Sequence, residues 1–332
     1  MLQALIQLGL FTAEAIIIFM LILLVLVVFF MLLAKGKEKT RGRLSIKSLN
    51  RKYDETKEAI LAETLSKKQF RQFLKTSKEE KKSRERNAQP AKNIFVLSFH
   101  GDIKASAVSS LGEEINAVLN IITPHDEVVL RLESAGGVVH GYGLAAAQLM
   151  RIRARNIPLI ISIDKIAASG GYLMACVANK ILSAPFAIIG SIGVIVQLPN
   201  FHRLLKDKHI DYEMHTAGEF KRTITVFGEN TNEGREKLQD EIEDIHGLFK
   251  NLISEYRPDI DINKVATGEH WLGQQAIELK LVDEIKTSDD YLFEQCKKAN
   301  IYEVCYEIKK PLLAKLSGSV SLMREKLLGL FP

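Results

Sequence analysis

The chain contains an unbroken apolar run of 20 residues, from Ala15 to Ala34. A helix needs about 20 such residues to cross the hydrocarbon layer of a membrane. No polar face recurs at helical spacing within the run, as it would in a helix packed on a soluble core. No positively charged segment precedes the run and no small-residue cleavage site follows it, in contrast to a removed signal peptide. The sequence therefore predicts that residues 1–34 form an uncleaved transmembrane anchor.

The segment that follows, residues 35–92, is strongly basic. It holds 19 Lys and Arg against 8 Asp and Glu, although the whole chain carries a formal net charge of only +5. Such a segment could bind nucleic acid, but basic residues directly after an anchor more commonly contact anionic lipid and fix topology. We therefore predict a basic, charged helical spacer that contacts membrane lipid and no nucleic acid. Its charge favours a cytoplasmic C-terminal part, although long domains cross membranes regardless of charge.

The three cysteines, Cys176, Cys296 and Cys305, lie in apolar or helical surroundings without the spacing of metal ligands. An odd number with no framework pattern is not typical of a disulfide-stapled domain. Such cysteines usually act as small apolar core residues. We expect no metal site and no cofactor.

From Ile94 onwards, short apolar runs alternate with segments of helical spacing. This alternation is typical of an α/β domain with parallel strand pairing. The predicted domain covers residues 93–286 and is followed by a helix-strand-helix extension over residues 287–332. The apolar run from Phe186 to Leu198 has 13 residues and two glycines, so it is too short for a second membrane span and fits a buried sheet.

Four further elements are predicted from local pattern. They are a charged helix from Tyr53 to Arg86, a strand near Tyr212 to His215, a long helix from about Thr231 to Tyr256, and an amphipathic helix after Pro311. An amphipathic helix must bury its apolar stripe on its own domain, on a neighbouring subunit or on the membrane surface. We favour a neighbouring subunit, and therefore a homo-oligomer.

Two segments of the predicted domain repeat one order: strand, small residue, Gly-Gly, helix. They are Ala135-Gly136-Gly137 and Ser169-Gly170-Gly171. Glycines after a strand permit a tight turn and leave N–H groups bare at the helix N-terminus, where negative charge is favoured. Two such turns side by side could each offer an N–H to a developing oxyanion. Simple tight turns, with Ser169 as an ordinary helix cap, are the alternative interpretation.

A nucleophilic serine needs a base, and the sequence offers several candidates. Ser162 and Lys165 have Ser-x-x-Lys spacing but lie on and just after a strand, so we treat that match as coincidence. Eight histidines are present, and spacing alone leaves a Ser-His-Asp triad open because triads are assembled in space. Lys221, after Gly218-Glu219-Phe220, could act as a base only if burial lowered its pKa. On spacing alone, a surface lysine is the more ordinary interpretation of Lys221.

Four motifs resemble those of the signal-peptide-peptidase A family of bacterial membrane serine proteases. The segment Asp164–Tyr172 resembles the nucleophile motif, and Gly190–Val194 resembles the second motif. Gly218–Arg222 resembles the general-base segment, and Glu133–Gly137 resembles the oxyanion-side turn. The anchor, the basic spacer and the residues around Thr223–Glu229 most resemble the SohB-like branch of that family.

The resemblance implies a role for each matching residue. Ser169 attacks the peptide carbonyl, while Lys221 takes its proton and later protonates the leaving amine. The N–H groups of Gly137 and Gly170 form the oxyanion hole, and Ser191 orients Lys221. The implied fold is a ClpP/crotonase-like spiral of strand-strand-helix units, usually assembled into rings. The implied substrates are signal-peptide remnants or misfolded polypeptides at the bacterial inner membrane, with the catalytic domain on its outer face.

The chain departs from the family pattern at two positions. Ala135 stands where relatives often have proline, and Lys280 replaces a usual glycine. Two other classes of function remain open for the same fold: a crotonase-like enzyme that handles acyl-CoA, and a non-catalytic membrane scaffold. Coenzyme A binding would favour the first, and failure of a fluorophosphonate probe to label Ser169 would favour the second.

Overall fold

The computed structural model describes residues 16–27, 42–86 and 92–307 of the chain. The strands are β1 (Arg43–Ser48), β2 (Asn93–Gly101), β3 (Glu127–Ser134), β4 (Leu159–Ile163), β5 (Ile166–Ala168), β6 (Lys180–Ser183), β7 (Ile188–Gly190), β8 (His270–Leu272), β9 (Glu284–Ile285) and β10 (Asn300–Glu307). The helices are α1, described over residues 16–27, then α2 (Leu49–Thr64), α3 (Lys67–Arg86), α4 (Val108–Leu119), α5 (Val139–Arg153), α6 (Gly170–Ala175), α7 (His202–Asp207), α8 (Asn232–Tyr256), α9 (Ile262–Val265), α10 (Gly273–Ala276) and α11 (Ser288–Gln295).

The predicted anchor is described only in part. Residues 16–27 are helical and their apolar side chains are exposed. Within the ranges given above, no helix combines the length and apolarity that crossing a bilayer requires. Residues 1–15 and 28–34 of the predicted anchor, and the predicted helix after Pro311, lie outside the described residues.

One compact unit extends from Leu44 to Tyr306, and it has the predicted mixed α/β architecture. Ten strands of the described residues form one sheet in the order β1-β10-β2-β3-β4-β6-β9. β5 pairs with β3 and β7, and β8 pairs with β7. From β10 to β9 the pairings are parallel, whereas β7 and β8 are antiparallel. The prediction of parallel strands alternating with helices is therefore confirmed.

The basic segment before this domain differs from the sequence prediction in two respects. Residues Arg43–Ser48 form β1, which pairs with β10 at the edge of the sheet. The single helix predicted from Tyr53 to Arg86 is divided, because Leu65 has an extended backbone and ends α2. The side chains and N–H groups of Ser66 and Gln69 then exchange hydrogen bonds. This reciprocal pair is a capping box, which starts a new helix.

The sheet is covered by apolar side chains on both faces. Successive residues of a strand point to opposite faces, and accordingly Val128 and Leu130 pack in one cluster while Val129 packs in another. The first cluster includes side chains of α4, α5 and α6, and the second includes side chains of α2 and α11. Because both faces are buried, the strands read as continuous apolar runs, which is why their positions could be predicted.

The turn that contains Lys280 explains one departure from the family pattern. Lys280 has a φ of 60°, in the left-handed region that glycine enters without a steric cost. Its carbonyl accepts a hydrogen bond from Arg257 at 2.9 Å. The glycine that the resemblance led us to expect at this position would suit the backbone of the turn, a requirement that lysine meets with some strain.

Glu114 of α4 is a buried acid with one hydrogen-bond partner. It is 4% exposed, and its Oε1 accepts a hydrogen bond from the Tyr306 N–H of β10 at 2.7 Å. Its Oε2 is buried and has no partner among the described residues. Burial raises the pKa of Glu114 from 4.5 to about 7, against the opposing effect of the Tyr306 hydrogen bond.

We predict that Glu114→Gln stabilises the protein at pH 8 and has little effect near pH 4.5. Between pH 4.5 and about 7 the folded state binds the Glu114 proton more tightly than the unfolded state. The free energy of unfolding of the native protein therefore falls as the pH rises through this interval. At about 1.4 kcal/mol for each pKa unit, the variant should gain roughly 3 kcal/mol at pH 8.

Urea unfolding of both proteins at the two pH values measures this difference. The matched control is Glu113→Gln, which changes an exposed carboxylate of the same helix. Equal pH dependence of the Glu114 and Glu113 variants would contradict the prediction.

Candidate active site

The carboxyl ends of three strands meet at one edge of the sheet. Ser134 of β3 is aligned with Ala167 of β5, and Ala168 of β5 is aligned with Gly190 of β7. All three strands are parallel, so the turns that follow them lie side by side. In open α/β sheets, ligands characteristically bind beyond the carboxyl ends of the strands. The predicted nucleophile, Ser169, lies in the middle turn.

Ser169 has an unusual backbone conformation between β5 and α6. Its φ is 52° and its ψ is −121°, a sparsely populated combination for a residue with a side chain. Its N–H donates to the Gly190 carbonyl at 2.8 Å. Its side chain makes no capping hydrogen bond to α6, so the ordinary role of a serine at a helix start is not realised. A strained strand-to-helix turn with an available hydroxyl is the geometry of a nucleophile elbow.

The first Gly-Gly turn lies directly against the Ser169 turn. A Cβ placed on Gly136 would lie 2.8 Å from the Ala168 carbonyl oxygen, the Gly170 nitrogen and the Ser169 Cβ. Gly136 also has a φ of 89°, so both its space and its backbone require glycine. A Cβ on Gly137 would collide with the carbonyl of Ile103. The two repeated turns are therefore in contact, as the oxyanion-hole interpretation needs.

The N–H groups of Gly137 and Gly170 have no hydrogen-bond acceptor among the described residues. For Gly170 the reason is its place at the start of α6, where N–H groups have no intrahelical acceptor. Gly137 is exposed, Ser169 is half-buried and Gly170 is buried. Two free donors beside a serine can stabilise a developing oxyanion.

Ser191 occupies the third turn. It follows Gly190, whose carbonyl accepts the Ser169 N–H. Ser191 has a φ of 50°, and its N–H donates to the Glu269 carbonyl at 2.6 Å. A Cβ on Gly190 would lie 2.8 Å from the Trp271 ring. β8 and Trp271 thus fix the turn that carries Ser191 beside the Ser169 turn.

Lys221 is not assembled with these residues. It lies in an exposed loop, where its N–H donates to the Gly218 carbonyl at 3.2 Å. Its amine forms no hydrogen bond or ion pair with the residues that the structure describes. The strand predicted near Tyr212 to His215 is wrong, because these residues form no regular structure. The structure therefore brings the Ser169 turn together with the turns of Gly136 and Ser191, but no hydrogen bond joins Lys221 to Ser169 among the described residues.

The other candidate bases have different surroundings. Lys165 pairs with Glu133 at 3.0 Å, on the strand side of the nucleophile motif. Across the described ranges, no hydrogen bond joins His202, His209 or His215 to Ser169. Nothing in the geometry favours these residues over Lys221.

The structure adds two residues that the sequence analysis missed. The hydroxyl of Tyr142 donates to the Asp102 carbonyl at 2.8 Å and lies 2.5 Å from Ser134 Oγ. Ser134 Oγ accepts the Gly136 N–H at 3.1 Å. The serine directly before the Gly-Gly turn was the available signal, since Ser side chains often bond a backbone N–H two residues ahead. No local pattern indicates Tyr142.

Comparison with known proteins supports the family resemblance described in the sequence analysis. Residues 3–149 match the family described as "Peptidase family S49 N-terminal", and residues 151–301 match "Peptidase family S49". A probable protease SohB from Haemophilus influenzae is 50% identical over 286 residues, which cover 82% of this chain and 81% of the relative. A probable protease SohB from Buchnera aphidicola is 55% identical over 241 residues, 72% of each chain. The resemblance to the SohB-like branch is confirmed.

More distant similarities were also found. A putative signal peptide peptidase SppA from Enterococcus faecium is 29% identical over 168 residues, 50% of this chain and 48% of the relative. A serine-to-alanine mutant of the 1510-N membrane-bound stomatin-specific protease superposes with a TM-score of 0.42 at 13% identity, covering 62% of this chain and 86% of that chain. A lysine-to-alanine mutant in complex with a substrate peptide gives 0.45 at 13% identity, covering 69% and 100%.

We predict that Gly136→Ala disrupts both the fold of this edge and its activity. The left-handed backbone costs an alanine roughly 1–2 kcal/mol, and the added methyl meets two backbone atoms at 2.8 Å. Peptidase activity should fall at least about 100-fold, the loss expected when an oxyanion donor is displaced.

Thermal unfolding and a peptide-cleavage assay measure the two effects. The control is Gly143→Ala on α5, where a Cβ would meet nothing within 4 Å. That variant should be neutral or stabilised by up to about 1 kcal/mol. A Gly136 variant as stable and active as the Gly143 variant would remove the basis for contact between the two turns.

Proposed function

Because the chain belongs to peptidase family S49, we propose that it is a serine endopeptidase in which Ser169 is the nucleophile and Lys221 the general base. One observation carries the proposal. Ser169 lies in a left-handed strand-to-helix turn, with a hydroxyl that caps nothing, between a glycine turn and a helix start whose N–H groups are free. A serine in this position is typical of enzymes that catalyse acyl transfer, and few other functions require one there.

The proposed reaction has two halves. Ser169 Oγ attacks the carbonyl carbon of the scissile peptide bond while Lys221 Nζ takes the hydroxyl proton. The carbonyl oxygen becomes an oxyanion held by the N–H groups of Gly137 and Gly170. Lys221 returns the proton to the leaving amine, which leaves an acyl ester on Ser169. Water, deprotonated by Lys221, then hydrolyses the ester and regenerates the serine.

Lys221 must change its surroundings to play this part. A base must come within about 2.6–3.2 Å of the hydroxyl that it deprotonates, and a lysine must be buried to lose its own proton near neutral pH. In the structure Lys221 is exposed. We therefore propose that a bound polypeptide or a neighbouring copy of the chain covers the loop and delivers Lys221 to Ser169. Ser191, in the adjacent turn, would orient the amine.

The ClpP/crotonase-like spiral remains our proposal for the detailed fold. The order β4, β5, α6 forms one strand-strand-helix unit. Its second strand leaves the main sheet path to pair with β7, which in turn pairs with β8. This departure of short strands from the main sheet path supports the proposal, because a spiral of strand-strand-helix units places the second strand of each unit outside the main sheet.

We also propose a membrane setting. Residues 15–34 would anchor the protein in the bacterial inner membrane, and residues 35–92 would lie against anionic lipid. A tethered, open catalytic edge would suit signal-peptide remnants and misfolded polypeptides near the bilayer. Assembly into a homo-oligomer would enclose the edge and exclude folded proteins.

Substitution of either proposed catalytic residue should abolish peptidase activity without unfolding the protein. We expect Ser169→Ala and Lys221→Ala each to lose at least about 10³-fold in turnover, as other serine peptidases do. Lys221→Arg should fail as well, because the guanidinium stays charged and cannot act as a base. Peptide cleavage and fluorophosphonate labelling of Ser169 measure these losses.

The control for the lysine variants is Lys206→Ala, which removes another exposed lysine, on α7. It should cleave peptides at the native rate. Turnover within tenfold of native in Ser169→Ala or Lys221→Ala, with contaminating peptidases excluded, would refute the corresponding assignment.

Removal of residues 1–34 should convert an integral membrane protein into one that salt can release. The basic residues of 35–92 should still bind anionic vesicles at low salt, because screening weakens such contacts as ionic strength rises. Flotation with vesicles at low and high salt measures this. Retention of the truncated protein in membranes after high-salt and carbonate washes would contradict a single anchor.

The proposed homo-oligomer is tested by measuring the size of the protein that lacks residues 1–34, with and without residues 311–332. A monomer in both cases would refute the proposed homo-oligomer.

A further inference from the structure

Tyr142 contacts both halves of the proposed oxyanion hole. It lies on α5, is 0% exposed, and reaches the Ser169 turn with its ring and the Gly136 turn through its hydroxyl. Resting on the serine-peptidase function proposed above, we propose that Tyr142, acting through Ser134, is a positioning residue that sets the directions of the Gly170 and Gly137 N–H groups.

The ring of Tyr142 fixes the position of Gly170. A Cβ placed on Gly170 would lie 2.5 Å from Tyr142 Cγ and 2.8 Å from Tyr142 Cβ. Gly170 therefore rests directly on the ring, closer than any side chain would permit. Since Gly170 begins α6, its contact with the ring fixes the position of its free N–H at the start of the helix.

The hydroxyl of Tyr142 fixes the other turn through Ser134. Tyr142 has a single hydroxyl proton, which it donates to the Asp102 carbonyl at 2.8 Å. The 2.5 Å contact with Ser134 therefore requires Ser134 to be the donor. Ser134 Oγ then accepts the Gly136 N–H at 3.1 Å. The result is a directed relay from Gly136 through Ser134 and Tyr142 to the carbonyl of Asp102.

The relay has no room for rearrangement. A Cβ on Gly101 would collide with both Ser134 Oγ and the Tyr142 hydroxyl, and a Cβ on Gly171 would lie 2.5 Å from the Ser134 carbonyl oxygen. The backbone of Gly101 therefore packs directly against both hydroxyls, and that of Gly171 against the Ser134 carbonyl, so a shift of the relay would displace backbone. A buried hydroxyl left without its partner costs about 1–3 kcal/mol, so the turn must shift to find another one.

The relay also persists at the pH at which a lysine base works. Burial is the largest cause that raises the pKa of Tyr142 above its ordinary value, while the hydrogen bond from Ser134 opposes it. The phenol therefore stays protonated as the pH rises. Its donor direction does not reverse under conditions that favour a neutral lysine.

A purely structural tyrosine would show different kinetics from a positioning residue. Misaligned oxyanion donors weaken only the transition state, so kcat falls while KM is unchanged. General loosening of the fold would lower the melting temperature and alter substrate binding as well. The rate of fluorophosphonate labelling is a second discriminating readout, because the phosphonyl oxygen uses the same donors as the substrate carbonyl.

The experiment compares five variants of the full-length protein, with a fluorescence-quenched peptide that the native protein cleaves and a fluorophosphonate probe. Tyr142→Phe and Ser134→Ala each break the relay, and their combination should be no worse than either alone because both belong to one chain of bonds. Tyr291→Phe is the matched control, because it removes a buried tyrosine hydroxyl that bonds Glu127 at 2.7 Å on the other face of the sheet. Ser169→Ala reports on the underlying function.

For both relay variants we expect kcat and the labelling rate to fall about tenfold at unchanged KM. This is less than the 10²–10³-fold loss from complete removal of a donor. Tyr291→Phe should keep native kcat while its melting temperature falls as much as that of Tyr142→Phe. If Tyr142→Phe does not fold, Ser134→Ala decides the outcome, since it keeps the ring on Gly170.

Native kcat and a native labelling rate in the relay variants, or an effect confined to KM, would overturn the positioning role. The proposed function would remain intact in that case as long as Ser169→Ala is inactive. Native activity in Ser169→Ala would overturn the proposed function, and the positioning role with it.

Discussion

The parallel register of β3, β5 and β7 is the constraint on which the candidate active site depends. Ser134 aligned with Ala167, and Ala168 aligned with Gly190, bring three turns to one edge. A slip of one residue in either pairing would move every side chain to the opposite face. It would also separate Ser169 from the glycines that lie against it. The geometry of the candidate site is therefore a property of strand pairing more than of the loops themselves.

The sequence predicts the elements of this edge well because burial leaves a strong local signal. Leu159–Ile163 is one of the short, largely apolar runs that follow Ile94, and it forms a strand that is buried on both faces. The repeated small residue and Gly-Gly at Gly136 and Gly170 predicted two matched turns after strands. The structure places these turns in contact, because both follow strands that pair in parallel.

The sequence could not predict features that depend on partners distant in the chain. The strand expected near Tyr212 to His215 does not form, because alternation is only a tendency until a neighbouring strand supplies hydrogen bonds. β1 was not predicted, because the many charged residues of its segment obscure the pattern of a strand. The capping box at Ser66, which divides the predicted charged helix, was not predicted either. The relay through Tyr142 joins a hydroxyl to a carbonyl 40 residues away. Periodicity and spacing carry no information about such a pair.

The left-handed backbone of Ser169 has a consequence for how such a protein can change over time. Glycine would adopt its φ of 52° without the steric cost that a side chain brings, a cost of roughly 1–2 kcal/mol. Replacement of the serine by glycine would thus relax the turn and, under the proposed mechanism, remove the nucleophile in one step. Stability alone favours glycine at this position, so under the proposed mechanism the serine is kept for catalysis at a cost in stability.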